Sequence, residues 1–215
     1  MNREDGTIQQ APKTSHSKGS RKILTIGIDP ASEGAATILL NGEVVCALAW
    51  RKRTRQKKRV YEITEARQGY DPFSFIVKSG GEIGASIFNL PEVQRAVEDG
   101  YEIDLVVEDT YVGRNMRTAL IVARFGGLVA GTVEAGIGKP ANWIRAASWR
   151  NSLLKISHFA NREKAKKSSL SLIPNLLCGM SVLIDKLGAI DHLTDSAGVA
   201  LWHYRTNHTD GEPKT

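Results

Sequence analysis

At 215 residues, with 41% hydrophobic residues, 24% charged residues and a net charge of +6, the chain has the length and composition of one globular domain with a full core, which excludes disordered and collagen-like classes. Its two cysteines, Cys46 and Cys178, lie in apolar surroundings without metal-ligand spacing; they read as buried free thiols and exclude a disulfide framework. No apolar run is read as long enough to span a membrane, and the N-terminus lacks a signal-peptide core, so a cytoplasmic protein is expected.

Residues 1–20 are polar and predict a disordered tail. Residues 21–207 form the expected domain, and 208–215 a flexible C-terminal tail. The apolar run Ile23-Leu-Thr-Ile-Gly-Ile-Asp29 predicts a buried first strand that Pro30 stops. Residues 35–40 continue as a strand, Asn41-Gly42 is a hairpin signal, and 43–50 form the next strand. Residues 59–66 would pair beside it. The connection between them carries a basic run: Arg51, Lys52, Arg53, Arg55, Lys57, Lys58 and Arg59. Residues 68–90 are glycine-rich and irregular, with Lys78-Ser-Gly-Gly-Glu-Ile-Gly84 as a loop or short insertion.

Pro91 to Glu98 predicts a helix with proline in its first turn. Ile103 to Glu108 is a strand, and Asn115 to about Gly136 a long helix rich in small residues. A short strand follows at 141–146, then helices at 149–154, 162–173 and 192–205. Trp143, Trp149 and Trp202 are expected in the core, and His158, His203 and His208 on the surface. Hairpins followed by alternating helices and strands predict an α/β fold, a mixed sheet with helices on its faces.

Asp29 and Glu108 each end an apolar strand, on strands that this order places side by side. Asp195 shares a helical face with His192 or Asp191. Hard divalent cations take carboxylate oxygens, and two such ions bridged by shared carboxylates serve phosphoryl transfer. Each acid also has a plain reading: Asp29 solvated or capping at a strand end, Asp191 as the N-cap of the last helix.

Three segments resemble the RuvC-type Holliday junction resolvases, in particular their phage branch, within the ribonuclease H-like nuclease superfamily. Ile26-Gly-Ile-Asp-Pro-Ala-Ser-Glu-Gly34 looks like the family's opening strand and aspartate. Val107-Glu-Asp-Thr-Tyr-Val-Gly-Arg-Asn-Met-Arg-Thr-Ala-Leu120 resembles its glutamate, aromatic and basic-Asn pair opening the long helix. His192-Leu-Thr-Asp-Ser-Ala-Gly-Val-Ala-Leu201 resembles the final helix, although the family commonly has an acid where His192 stands. Trp149-Arg150 and the lysines beyond are similar to phage members. The resemblance spans about residues 22 to 205.

It implies a ribonuclease H-like fold with a mixed five-stranded sheet flanked by helices. It also implies an endonuclease that cuts four-way and other branched DNA by two-metal hydrolysis, leaving 5′-phosphate and 3′-hydroxyl ends. Asp29, Glu108, His192 and Asp195 would be the catalytic metal ligands, holding two Mg2+ ions that Mn2+ can replace, with Asp191 as the other choice for the fourth place. Tyr111 would stack on bases at the branch point, and Arg114, Asn115 and Arg117 would meet DNA at the helix start. The basic run Arg51 to Arg59 would clamp the backbone. A homodimer is implied, with the helix from Thr118 to Val133 as its candidate interface. A catalytically degenerate junction-binding protein of the same fold is the alternative. A phage source would place it in the host cytoplasm.

Overall fold

The computed structural model describes residues 21–55, 57–109, 116–156, 162–188 and 190–209. Five strands come first: β1 (Ile23–Asp29), β2 (Gly34–Leu40), β3 (Glu43–Arg55), β4 (Lys58–Arg67) and β5 (Phe73–Val77). Helices α1 (Gly80–Phe88) and α2 (Pro91–Glu98), strand β6 (Glu102–Asp109), helix α3 (Met116–Ile137) and strand β7 (Asn142–Arg145) follow. The chain closes with α4 (Ala146–Leu154), α5 (Arg162–Leu176), α6 (Met180–Leu187) and α7 (Ile190–His208).

Among the described residues, all the strands join one sheet in the order β5-β4-β3-β2-β1-β6-β7. The first five form an antiparallel meander, whereas β6 runs parallel to β1 and β7 parallel to β6. The inner order β3-β2-β1-β6-β7 is a mixed sheet of five strands. Strands β4 and β5 widen it to seven, which corrects the expected five.

Strand alternation divides β1 cleanly. Leu24, Ile26 and Ile28 enter the core shared with α1, α2 and α3. Thr25, Gly27 and Asp29 face the second core, built with α4 to α7. Burial on both faces suits a central strand, whose apolar run needs no polar side. Asn41 (φ 51°) and Gly42 (φ 83°) both adopt left-handed backbone, as a tight hairpin between β2 and β3 requires.

Several expectations need correction. The basic run is not a loop: β3 and β4 stay paired through Arg55 and Lys58, with Arg51 opposite Glu62. Glycine-rich residues 80–88 form helix α1, started by Ser79, whose side chain accepts from the Glu82 amide while Glu82 accepts from the Lys78 amide. That cap satisfies the Glu82 amide, one of those a helix start leaves open, and ties the preceding Lys78 amide to the same first turn. Gly84 then allows α1 to touch α3, since a Cβ there would stand 2.4 Å from the Val129 carbonyl oxygen. Trp143 is 42% exposed rather than in the core, and Cys178 is exposed.

The 19-residue stretch Ala119–Ile137 has mean hydropathy 1.5, long and apolar enough by length and composition to cross a membrane, against the expectation of no such run. Here Val129, Ala130 and Val133 are buried in the core that α3 shares with α1, α2 and the sheet, while Leu120, Ile121 and Leu128 are exposed. Helix α7 reaches His208, one residue past the expected domain end. Residues 1–20 and 210–215, where tails were expected, lie outside the described residues, as does His158.

Candidate active site

The parallel pairing of β1 with β6 sets Ile28 opposite Val107, so Asp29 and Glu108 leave adjacent strands at the same sheet end. Both belong to the alternation that faces α7. Helix α7 lies tight over that end because Gly27 has no side chain: a Cβ there would sit 2.2 Å from the Ser196 carbonyl oxygen and 2.6 Å from the Ala200 Cβ. A buried hydrogen bond of 2.7 Å between Thr37 and Ser196 hydroxyls fixes the helix register. His192 and Asp195, three residues apart on α7, thereby come over the strand ends.

The four side chains fall into two half-buried groups, His192 with Asp29, and Asp195 with Glu108 through Arg150. His192 Nδ1 lies 2.6 Å from Asp29 Oδ2. Arg150 of α4 donates to Asp195 Oδ1 at 2.5 Å and stands 3.7 Å from Glu108 Oε1. Trp149, fully buried, donates its indole N–H to Glu108 Oε2 at 3.3 Å. The side chains of Asp29, Glu108 and Asp195 retain 13–15% exposure and His192 33%, so the cluster opens to solvent along one edge.

Charge is unbalanced there. Burial, with Asp195 and Asp29 adding to it, pushes the Glu108 carboxyl well above its ordinary value. Burial also raises Asp195, although Arg150 opposes the shift. Burial is the largest influence on His192 and lowers it, but the hydrogen bond and charge of Asp29, with the charge of Asp195, together raise it above its ordinary value. Three acids thus face one guanidinium and one imidazole.

A stability effect follows. With its raised value, folded Glu108 keeps a proton that the unfolded chain has already released, so metal-free stability falls as pH rises through that window, beginning at the ordinary 4.5. Glu108→Gln removes the loss and can still accept from Trp149. We expect the variant to melt a few degrees above wild type at pH 8 in chelator, roughly 2–4 °C per kcal/mol for a chain of this size. The gain should shrink toward pH 5. Thermal melts at both pH values check it, and a pH-independent difference would contradict the cause.

Other expected residues fall differently. Asp191 lies within the first turn of α7 and pairs with Lys166 of α5, so it is not the expected N-cap. Tyr111, Arg114 and Asn115 lie outside the described residues. Arg117 is exposed near the start of α3. Since Asp29 pairs with Ala35 and Trp50 with Gly34, the continuation of β3 from Arg51 projects past the sheet end that carries Asp29. Arg51 is engaged by the carbonyls of Leu187 and Gly188, and Arg53 by Glu62 at 2.8 Å. Lys52, Arg55, Lys57, Lys58 and Arg59 are exposed.

Arg150 is the member of the network that sequence alone does not assign to the site. Its one signal is the Trp149-Arg150 pair. Its Nε is buried without a hydrogen-bond partner among the described residues.

No protein-family model matches the sequence, and no curated protein matches it. Among solved structures, the chain is similar to Thermus thermophilus RuvC at 15% identity and a TM-score of 0.44, over 85% of this chain and 95% of that one. It is also similar to T. thermophilus RuvC in complex with Holliday junction substrate, at 16% identity and a TM-score of 0.40, over 84% and 92%.

Proposed function

We propose that the chain is a divalent-metal-dependent endonuclease that hydrolyses phosphodiester bonds in branched DNA, four-way junctions above all. The observation that carries this reading is the convergence of Asp29, Glu108 and Asp195 from two strands and a helix onto one partly open edge. The donor set suits the ions: carboxylate oxygens are hard ligands for Mg2+ or Mn2+. Burial raises the Glu108 carboxyl first, and the charges of Asp195 and Asp29 add to it; a divalent cation would offset that added negative charge.

When bound, two such ions supply Lewis-acid stabilisation of the phosphodiester and lower the pKa of an attacking water. Asp29 is the residue suited to hold both, with Glu108 and Asp195 each holding one. His192, anchored to Asp29 through Nδ1, has its other ring nitrogen for ligation or for moving a proton. A metal held by Asp195 would compete with Arg150, which bonds its Oδ1. A guanidinium freed at that edge suits a phosphate oxygen.

The exposed cations on the β3–β4 hairpin extend the same end of the sheet and suit a backbone clamp. Replacing Lys52, Arg55, Lys57, Lys58 and Arg59 with glutamine should weaken junction binding and flatten its salt dependence, by about 0.9 in log–log slope for each phosphate no longer neutralised. An unchanged slope in a salt-titrated binding assay would remove the hairpin from the interface. Paired nicks on a four-way junction need two active sites, which a homodimer supplies. The exposed Leu120, Ile121 and Leu128 of α3 are the surface we assign to it.

The test is cleavage of a panel of branched and linear DNAs by the purified full chain with Mg2+ or Mn2+. Metal-dependent cutting confined to branched substrates supports the proposal. A second reading, a junction-binding protein without catalysis, is favoured by one observation: Arg150 already bonds Asp195 and approaches Glu108. Binding without cleavage in either metal would select it.

A further inference from the structure

At the other end of α7, His203 and His208 meet Asp104 of β6. His208 Nε2 lies 2.6 Å and His203 Nε2 3.5 Å from Asp104 Oδ2. One ligand atom from each of the three residues falls within 4.8 Å of the others. The two imidazoles are 12% exposed and the carboxylate 18%, so the group is held in place while keeping a path to solvent. The rings stand edge to face, with centroids 6.4 Å apart.

A second observation concerns Thr25. It pairs with Asp104 in the β1–β6 register and, by strand alternation, lies on the same face. It is fully buried, and among the described residues its Oγ1 has no hydrogen-bond partner. A polar atom left in that condition costs stability unless the neighbouring site brings it a partner.

We propose that Asp104, His203 and His208 form a binding site for a zinc-class transition-metal ion, separate from the carboxylate site. Two imidazole nitrogens and one carboxylate oxygen are the donors such ions prefer, whereas Mg2+ favours oxygen alone. At metal–ligand lengths of roughly 2.0–2.1 Å, tetrahedral ligands stand about 3.3 Å apart. The His203–Asp104 separation is already near that value, and the closer His208–Asp104 pair opens by less than about 1 Å to reach it. The fourth position is left to water, within reach of solvent.

The site is independent of the nuclease reading. Asp104 precedes Glu108 by four strand residues, about 13 Å along β6. His203 follows Asp195 by eight helical residues, about 12 Å along α7. An ion here would pin the C-terminal turns of α7 to β6 and so steady the helix that carries His192 and Asp195.

The experiment titrates zinc into the chelator-treated full chain in excess Mg2+, reading stoichiometry by calorimetry and elemental analysis, with melting temperature in parallel. One zinc per chain is expected. Zinc a hundredfold above its dissociation constant should raise Tm by roughly 5–10 °C. His203→Gln and His208→Gln should each weaken binding by about tenfold or more, whereas the Asp29→Asn/Asp195→Asn double variant should keep it. Co2+ bound to the wild type should give the visible absorption of a four-coordinate site, a readout that needs no variant to fold. Absence of zinc binding and of that absorption would overturn the proposal. Loss of zinc with the Asp29/Asp195 variant but not with the histidine variants would also overturn it.

Discussion

Asp29→Asn is expected to lower metal-dependent junction cleavage by about a thousandfold or more, while junction affinity stays within a few-fold. Asparagine keeps the side-chain volume, and its carbonyl oxygen still accepts from His192, which now lies 2.6 Å from Asp29 Oδ2. The fold therefore has no reason to change. What disappears is the negative charge that the strand end presents beside Glu108. DNA affinity should not fall, because that carboxylate repels phosphate. Single-turnover cleavage and gel-shift titration on the same junction separate the two quantities. Parallel loss of binding and cleavage would mean that Asp29 acts through structure rather than chemistry.

The second large effect concerns packing. Gly27→Ala places a methyl 2.2 Å from the Ser196 carbonyl oxygen and 2.6 Å from the Ala200 Cβ, neither of which can swing aside. Helix α7 has to lift from β1, straining the buried Thr37–Ser196 hydrogen bond of 2.7 Å. Overpacking of this kind costs about 3 kcal/mol, or roughly 6–12 °C in Tm for a chain of this size. Cleavage should fall further than stability explains, because the displaced helix carries His192 and Asp195. Gly127→Ala is the contrasting variant. Gly127 is an exposed α3 residue with nothing among the described residues within 4 Å of an added Cβ, so alanine there should stabilise by up to about 1 kcal/mol. Similar melts for both variants would contradict the close approach of α7 to β1.

The particular elements show what a one-dimensional reading can reach. Asp29 and Glu108 were legible because each terminates a run apolar on both faces, which marks adjacent central strands, and the β1–β6 register sets them side by side. Helical spacing put Asp195 on one face with either His192 or Asp191 and left that choice open; the structure sets His192 beside Asp29 and pairs Asp191 with Lys166. The β3–β4 hairpin was not, because dense positive charge imitates a solvated loop. Its pairing is held across strands, as where Arg53 meets Glu62, and local composition does not reveal that. Helix α1 did carry a local signal, the Ser79–Glu82 capping box, which the surrounding glycines obscured.

Pairings between distant segments left no trace. Arg150 reaches Asp195 from 45 residues away, and Asp104 meets His208 across 104 residues. No spacing rule joins such pairs. Trp143 was illegible for a related reason: β7 is an edge strand, and among the described residues nothing in sequence order marks which of its faces stays open.

The most direct test of the carboxylate metal site is a crystal structure of the full chain soaked in Mn2+, with anomalous scattering used to find the metal. Two peaks are expected about 4 Å apart, flanked by Asp29, Glu108 and Asp195, with Arg150 withdrawn from Asp195. No peak among these carboxylates, with Arg150 still bonded to Asp195, would contradict it.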